Sequence, residues 1–303
     1  MFDSRYEAQV RLLIRCLPEI SKHSCFALKG GTAINLFVRD MPRVSVDIDL
    51  TYLPLKPRDE ALTEINDALL SMKHDIERRI PGSHVSGNRV QGYVAKLSVS
   101  TSDAIIKIEP NLILRGSTQP PISMDLCAAA QKHFGSFVSV STLSMADLYG
   151  GKICAALDRQ HPRDLFDVKL LIEDTGIMPE IRRSFVVYLA GHNRPMNELL
   201  SPNLQDIRSL YDDQFMGMTR DEVPLPVLQQ LQENLPGMLV QSLDDDEKQF
   251  LLSIKYGEPQ WDRLGIENLE QFPALQWKLI NIRKMKPAKR TAEFSRLQEI
   301  LLK

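Results

Sequence analysis

Two aspartates stand one residue apart in the run Val46-Asp47-Ile48-Asp49-Leu50. In an extended chain successive side chains alternate between faces, so Asp47 and Asp49 share one face and Val46, Ile48 and Leu50 the other. The apolar face reads as core. Neighbouring carboxylates repel unless a cation neutralises them; the competing reading is a solvated strand face. Mg²⁺ suits the pair, because it takes oxygen ligands and binds one or two carboxylates together with substrate phosphates; Mn²⁺ would serve in its place. A third acid, Glu109, lies in Ile106-Lys107-Ile108-Glu109-Pro110, a strand of the same kind. If that strand pairs beside the first, three carboxylates converge, enough for one or two metal ions. Two ions can stabilise both the attacking and the leaving oxygen of an in-line phosphoryl displacement. Upstream, Lys29-Gly30-Gly31-Thr32 joins a strand to a helix. Glycines there let the backbone approach a phosphate closely, and a helix N-terminus favours negative charge. Three further polar residues lie near these motifs. Lys107, on the Glu109 face, contacts nucleotide or salt-bridges the acids. Arg43 and Ser45 face either the metal site or solvent.

These residues need elements to hold them. Residues 4–16 have a helical apolar stripe that Pro18 should stop. CFALKGG reads as a short strand entering a glycine turn, residues 32–38 as a helix, and residues 44–52 as an alternating strand rich in β-branched residues. Residues 58–80 form an amphipathic helix ending at Pro81-Gly82. Two alternating runs, 93–100 and 104–109, are joined by Thr101-Ser102-Asp103, a hairpin signal. Beyond about residue 140 strand-like runs become scarce and helical patterns dominate. The expected fold class is therefore α+β: a mixed α/β domain over 1–140, with a mixed sheet, and a mostly helical domain over 141–303. Residues 192–224 read as an irregular connector.

The helical half holds a second polar set. Ser144-x-x-Asp147 resembles a capping box opening a helix to about Arg159. Within it Lys152 follows Gly150 and Gly151. A glycine inside a helix costs about 1 kcal/mol relative to alanine, so two of them call for a reason, such as close approach of a ligand or of the first domain. Asp164 and Asp167 share a face near the start of the next helix, where acids are favoured in any case. A solvated lysine and helix-stabilising acids are the simpler readings.

The order of motifs, a glycine turn and helix, a D-x-D strand and a later strand-borne acid, is the layout of the polymerase-β-like nucleotidyltransferases. KGGTAINLF, Arg43-x-Ser45-x-Asp47-Ile48-Asp49-Leu50, Lys107-Ile108-Glu109, Tyr149-Gly150-Gly151-Lys152 and Arg163-Asp164-Leu165-Phe166-Asp167 together resemble the AbiEii/AbiGii toxin family, nucleotidyltransferase toxins of type IV toxin–antitoxin pairs to which the MenT toxins are related. The resemblance covers roughly residues 25–170. It implies that Gly30, Gly31 and Thr32, flanked by Lys29, cradle an NTP and that Asp47 and Asp49 bind metal. It further implies that Lys152 contacts the nucleotide phosphates and that an acid of the R-D-x-x-D segment, Asp164 or Asp167 with Asp164 favoured, assists catalysis. It also implies transfer of NMP to an RNA acceptor, in characterised relatives a tRNA 3′ end, which blocks translation, and a cognate antitoxin as protein partner.

Composition excludes several other classes. The chain has 303 residues, 43% hydrophobic and 25% charged, so it can bury a core. Four dispersed cysteines without C-x-x-C argue against a disulfide scaffold or structural zinc and fit a reducing, cytoplasmic setting. The six histidines form no H-E-x-x-H or H-x-x-x-H pair, which excludes a zinc hydrolase of that type. No apolar run is long enough for a membrane span. The net charge of −2 conceals a basic tail: residues 278–303 carry Lys278, Arg283, Lys284, Lys286, Lys289, Arg290, Arg296 and Lys303 against Glu293 and Glu299. Such a helix can bind an RNA backbone, or it is a solvated face or an antitoxin contact. Four other activities fit parts of the pattern. They are transfer to an antibiotic, transfer to a protein side chain, a kinase-like phosphotransfer and an inactive nucleotide-binding module.

Overall fold

The computed structural model describes residues 2–302 and falls into two compact units. The first comprises residues 1–144 and 215–222, the second residues 145–214 and 223–303.

In the first unit, helix α1 (Ser4–Ile20) begins where the Asp3 side chain accepts a hydrogen bond from the Arg5 N–H at 2.9 Å. It passes Pro18 rather than stopping before it, because a proline in the last turn forfeits one bond while Leu17, beside it, is fully buried. Strand β1 (Phe26–Lys29) leads into a short helix α2 (Gly30–Ala33) that widens into a π turn over Ile34–Val38. Strand β2 (Ile48–Tyr52) is shorter than the 44–52 run expected for it. The chain entering that run is held elsewhere: Val44 N–H donates to the Met218 carbonyl at 2.8 Å, and Arg43 bridges Thr219. Sequence pattern sees an extended run but not which distant segment it pairs with. That distant segment is residues 215–222, which therefore belong to the first unit and not to a connector.

Helix α3 (Arg58–Arg79), strands β3 (His84–Val90), β4 (Tyr93–Ser100), β5 (Ile105–Asn111) and β6 (Ile122–Asp125), helix α4 (Ala128–Phe134) and strand β7 (Ser139–Thr142) complete the unit. The seven strands form one mixed sheet in the order β3-β4-β5-β2-β1-β7-β6. The β4–β5 hairpin closes where Thr101 N–H meets the Ala104 carbonyl at 2.9 Å. β2 lies antiparallel to β1 and parallel to β5. Ile48, Leu50, Leu97, Val99, Ile106 and Ile108 are buried on one side of these central strands, and α1 and α3 pack on the sheet. At about 25 cal/mol per Å² of apolar surface, each buried side chain contributes about 2 kcal/mol. One face of the sheet is thereby committed to the core. The alternate residues are left for the polar face.

The second unit is helical. It holds α5 (Met145–Arg159), α6 (Pro162–Asp174), α7 (Pro179–Gly191), α8 (Met196–Leu200), α9 (Arg208–Gln214), α10 (Leu225–Ser242), α11 (Asp245–Tyr256), α12 (Pro273–Arg283) and α13 (Pro287–Leu301). Helices α8 and α9 occupy part of the stretch read as irregular. Gly150 has a packing reason. A Cβ there would stand 2.7 Å from the Phe185 backbone nitrogen, so the glycine lets α5 and α7 touch. The close neighbour is thus a helix of the same unit, not a ligand or the other unit. The acidic run Asp244–Glu247 is a capping box that starts α11.

Candidate active site

The polar face of the first unit's sheet carries its acids in register. Lys29 on β1 is level with Asp49 on β2, and Asp49 with Glu109 on β5. Residues level with one another on neighbouring strands project from the same face and lie about 5 Å apart. The row continues: Glu109 is ion-paired with Lys96 on β4, and Lys96 is level with Asn88 on β3. Asp47 is the residue immediately before β2, and both aspartates are half-buried where Ile48 and Leu50 are fully buried. Val46, expected on the core face, is only half-buried because the sheet has not yet begun there.

The glycine turn is fitted to these acids. Gly30 has φ +71°, in the left-handed region, and a Cβ on it would lie 2.4 Å from Asp49 Oδ2. A Cβ on Gly31 would lie 2.7 Å from Arg43 Nη2 and 2.9 Å from Ser45 Oγ. No other residue type leaves the turn this close to those side chains. Arg43 is buried and donates from Nη1 to the Val44 carbonyl at 2.8 Å. Thr32 is fully buried, and its hydroxyl donates to the Asp47 backbone carbonyl at 2.5 Å. Asn35 Nδ2 donates to the Gly31 carbonyl at 2.9 Å. Thr32 therefore ties the turn to the D-x-D segment rather than pointing out of it.

Hard oxygen donors beside a glycine turn suit a divalent cation of the Mg²⁺ kind. The donor set differs from the expected three-acid cluster. Among the described residues no group of three His, Cys, Asp or Glu side chains is gathered for a metal. Glu109 is drawn to Lys96, which leaves Asp47 and Asp49 as the pair. Lys107 is exposed and has no salt bridge among the described residues.

In the second unit Lys152, Asp164 and Asp167 come together. Lys152 Nζ lies 3.0 Å from Asp164 Oδ1 and 3.0 Å from Asp167 Oδ2, and all three side chains are at least nine-tenths buried. Arg159, largely exposed, donates from Nε to Asp164 Oδ2 at 2.5 Å and from Nη2 to Oδ1 at 2.9 Å. Burial alone would push the Asp164 carboxyl up; the Lys152 charge and the Arg159 hydrogen bonds overcome it and hold its pKa well below the usual range. The sign follows from linkage. A carboxyl with a lowered folded pKa contributes stability above its unfolded pKa, about 3.9, and loses it as pH falls through the folded value. Urea midpoints of wild type and Asp164→Asn should accordingly differ by a constant amount from pH 7 to about pH 5 and begin to converge as the pH falls below about 4. Parallel curves down to the lowest pH would show that Asp164 carries no such charge.

The basic tail is two helices. Lys278 on α12 turns inward and donates to the carbonyls of His192 at 2.6 Å and Arg194 at 2.8 Å. Burial pushes its pKa down to about 8. Arg296 pairs with Glu293 at 3.2 Å, whereas Lys284, Lys286 and Lys289 are exposed. Lys303 lies outside the described residues.

Two functional candidates escaped the sequence reading. Lys96 was findable, since a turn at Thr101–Ala104 sets it opposite Glu109. Arg159, the last residue of α5 and four residues before the R-D-x-x-D segment on α6, had no comparable signal.

The sequence model of the family described as Nucleotidyl transferase AbiEii toxin, Type IV TA system, matches residues 11–280. No curated protein matches the sequence. Among solved structures the chain is similar to MenT4, a nucleotidyltransferase toxin from Mycobacterium tuberculosis H37Rv. The TM-score is 0.61 at 17% identity, over 92% of this chain and 95% of that one. No described helix is long and apolar enough to cross a membrane.

Proposed function

Because the chain belongs to the AbiEii family of nucleotidyltransferase toxins of type IV toxin–antitoxin systems, we propose that it transfers NMP from an NTP to an RNA acceptor, a tRNA 3′ end, and that a cognate antitoxin restrains it in the cytoplasm. The observation that carries this reading is the fit of the Gly30–Gly31 turn against Asp49, in register with Glu109. A backbone stripped of side chains beside paired carboxylates is a seat for a metal-bound triphosphate.

Asp47 and Asp49 would hold a divalent cation, Mg²⁺ or Mn²⁺. When bound, it lowers the pKa of the attacking hydroxyl and offsets the charge of the triphosphate. The N–H groups of the turn, with Lys29 and Ser45, position the phosphates, while buried Arg43 and Thr32 hold the turn and the D-x-D segment in place. The acceptor oxygen bonds to the α-phosphorus as the α–β phosphoanhydride bond breaks and pyrophosphate leaves. Glu109 either takes the hydroxyl proton or adds an oxygen to the metal, in which case the proton passes to water, and either role requires it to release Lys96. Lys152 has three ammonium N–H donors. Two go to Asp164 and Asp167, and no third partner occurs among the described residues. The remaining donor is the one we assign to a nucleotide phosphate, with Asp164 orienting it. Catalysis of this kind is positioning and charge neutralisation, so no Cys or His nucleophile is needed.

The test is incubation with Mg²⁺, each α-³²P-labelled NTP in turn, and total tRNA. Label in the RNA is expected, and its dependence on the NTP identifies the base. Label on protein or on a small acceptor would redirect the acceptor assignment. Label only from the γ position would indicate phosphotransfer, and no label from any NTP would indicate an inactive module.

A further inference from the structure

The polar face of β3, β4 and β5 carries an open groove of about 530 Å³. Arg89, Lys96 and Lys107 line it together with Ser86, Asn88 and Ser98, and no acid does. We propose that this groove holds the phosphodiester backbone of the acceptor RNA immediately behind its reactive hydroxyl. The proposal rests on the nucleotidyl-transfer reading above.

Three observations carry it. The first is direction. In-line displacement requires the hydroxyl to enter opposite the departing pyrophosphate. The glycine turn that seats the triphosphate ends β1, on one side of Asp49. The strand order β3-β4-β5-β2-β1 puts the groove on the other side. The second is distance. Lys96 is two strands from Asp49, about 10 Å at the usual strand spacing, a gap that one nucleotide bridges. The third is the β-bulge at Asn88/Arg89, where the register of β3 against β4 shifts. Strict alternation would send Asn88 and Arg89 to opposite faces, yet both line the groove. The extra residue of the bulge is Ala95 on β4, which lies between the partners of Asn88 and Arg89, so the regular pairing ends there and Arg89 lies at the irregular end of the groove. Arg89 is steadied by a hydrogen bond from Nη1 to the Gly92 carbonyl at 2.6 Å.

The groups available are cations, hydroxyls and an amide, with no aromatic side chain to stack a base. They suit phosphate and ribose and are indifferent to sequence. This side of the site would accept any free 3′ end of adequate reach, so selection among RNAs has to be made elsewhere.

The experiment uses full-length protein and a short single-stranded RNA with a free 3′ hydroxyl and a 5′ fluorophore, read by anisotropy across a salt series. Wild type is compared with Lys107→Ala and with the double variant Arg89→Ala, Lys107→Ala, while Mg-NTP affinity is measured separately by calorimetry. Both side chains are exposed, so matching melting curves are expected. The double variant should bind RNA about tenfold more weakly. Its salt slope should be shallower by about 1.4, roughly 0.7 for each single-strand phosphate that is no longer neutralised. Its NTP affinity should be unchanged. Equal RNA affinity and equal slopes would overturn the proposal and leave the groove to a protein partner. An equal loss of NTP affinity would also overturn it, placing the triphosphate there. If wild type labels no RNA but the variants still lose RNA affinity, the transfer reading fails and the groove stands.

Discussion

Replacing Asp49 by alanine is expected to lower nucleotidyl transfer by about three orders of magnitude, roughly 4 kcal/mol of transition-state stabilisation, without lowering the melting temperature. Asp49 is half-buried on the polar face of β2, stands in register with Glu109 and closes over Gly30. Its removal takes away charge from the reaction but nothing from the apolar face, where Ile48 and Leu50 do the packing. Substitutions of that kind usually change stability by within about 0.5 kcal/mol. Asp49→Asn serves as the control, because it keeps the shape that Gly30 fits and deletes only the charge. Both variants should be equally inactive in the tRNA-labelling assay. Full activity in Asp49→Asn would mean that the carboxylate does not hold the cation, and the assignment of Asp47 with it would fall.

Lys152→Met is expected to act in the opposite sense, with its first effect on stability. The lysine lies between two acids that have almost no solvent, and the substitution leaves their charge buried without its principal partner. Breaking a buried pair from one side costs about 3–5 kcal/mol, which for a unit of this size lowers the melting point by about 10 °C. Asp167→Asn in the Lys152→Met background removes one of the two buried charges and should recover part of the loss, Arg159 still holding Asp164. Calorimetric melting of the single and double variants checks both statements. Unchanged melting in Lys152→Met would show that the ammonium is not the partner that these acids depend on. The contrast between Asp49 and Lys152 is instructive. One functional candidate sits on an open face and can be removed cheaply, whereas the other is part of the framework of its unit.

The parts of the site that were readable from sequence are those whose geometry is local. Alternation placed Asp47 and Asp49 away from the core, and the glycine pair marked the turn against them. The Thr101–Asp103 turn implied the β4–β5 hairpin. Where position depends on distant chain, the pattern failed. Residues 44–47 have the composition of a strand, but Val44, with Pro42 and Arg43 before it, is bonded to Met218–Arg220, so β2 starts four residues late. β3 is mostly exposed and polar, with Gly87, Asn88 and Arg89 in its middle, and such an edge strand has no alternation to detect. Lys152 follows two glycines whose placement in a helix invites a ligand. One of them is explained by the 2.7 Å approach of α7, and only the fold reveals the two acids that claim the lysine.

The return of residues 215–222 to the first unit also bears on synthesis. A chain leaving the ribosome delivers its N-terminal residues first, and domains fold as units when complete. The D-x-D segment emerges early, but Val44 has no partner until Met218 has been made. The loop that leads into the D-x-D segment is thus left without its pairing segment until about three-quarters of the polypeptide exists, with the α5–α9 stretch translated in between. A nascent or truncated chain that stops short of residue 218 would lack the strap on the Asp40–Val44 loop just before its aspartates, so the first unit is completed only by chains that extend past it.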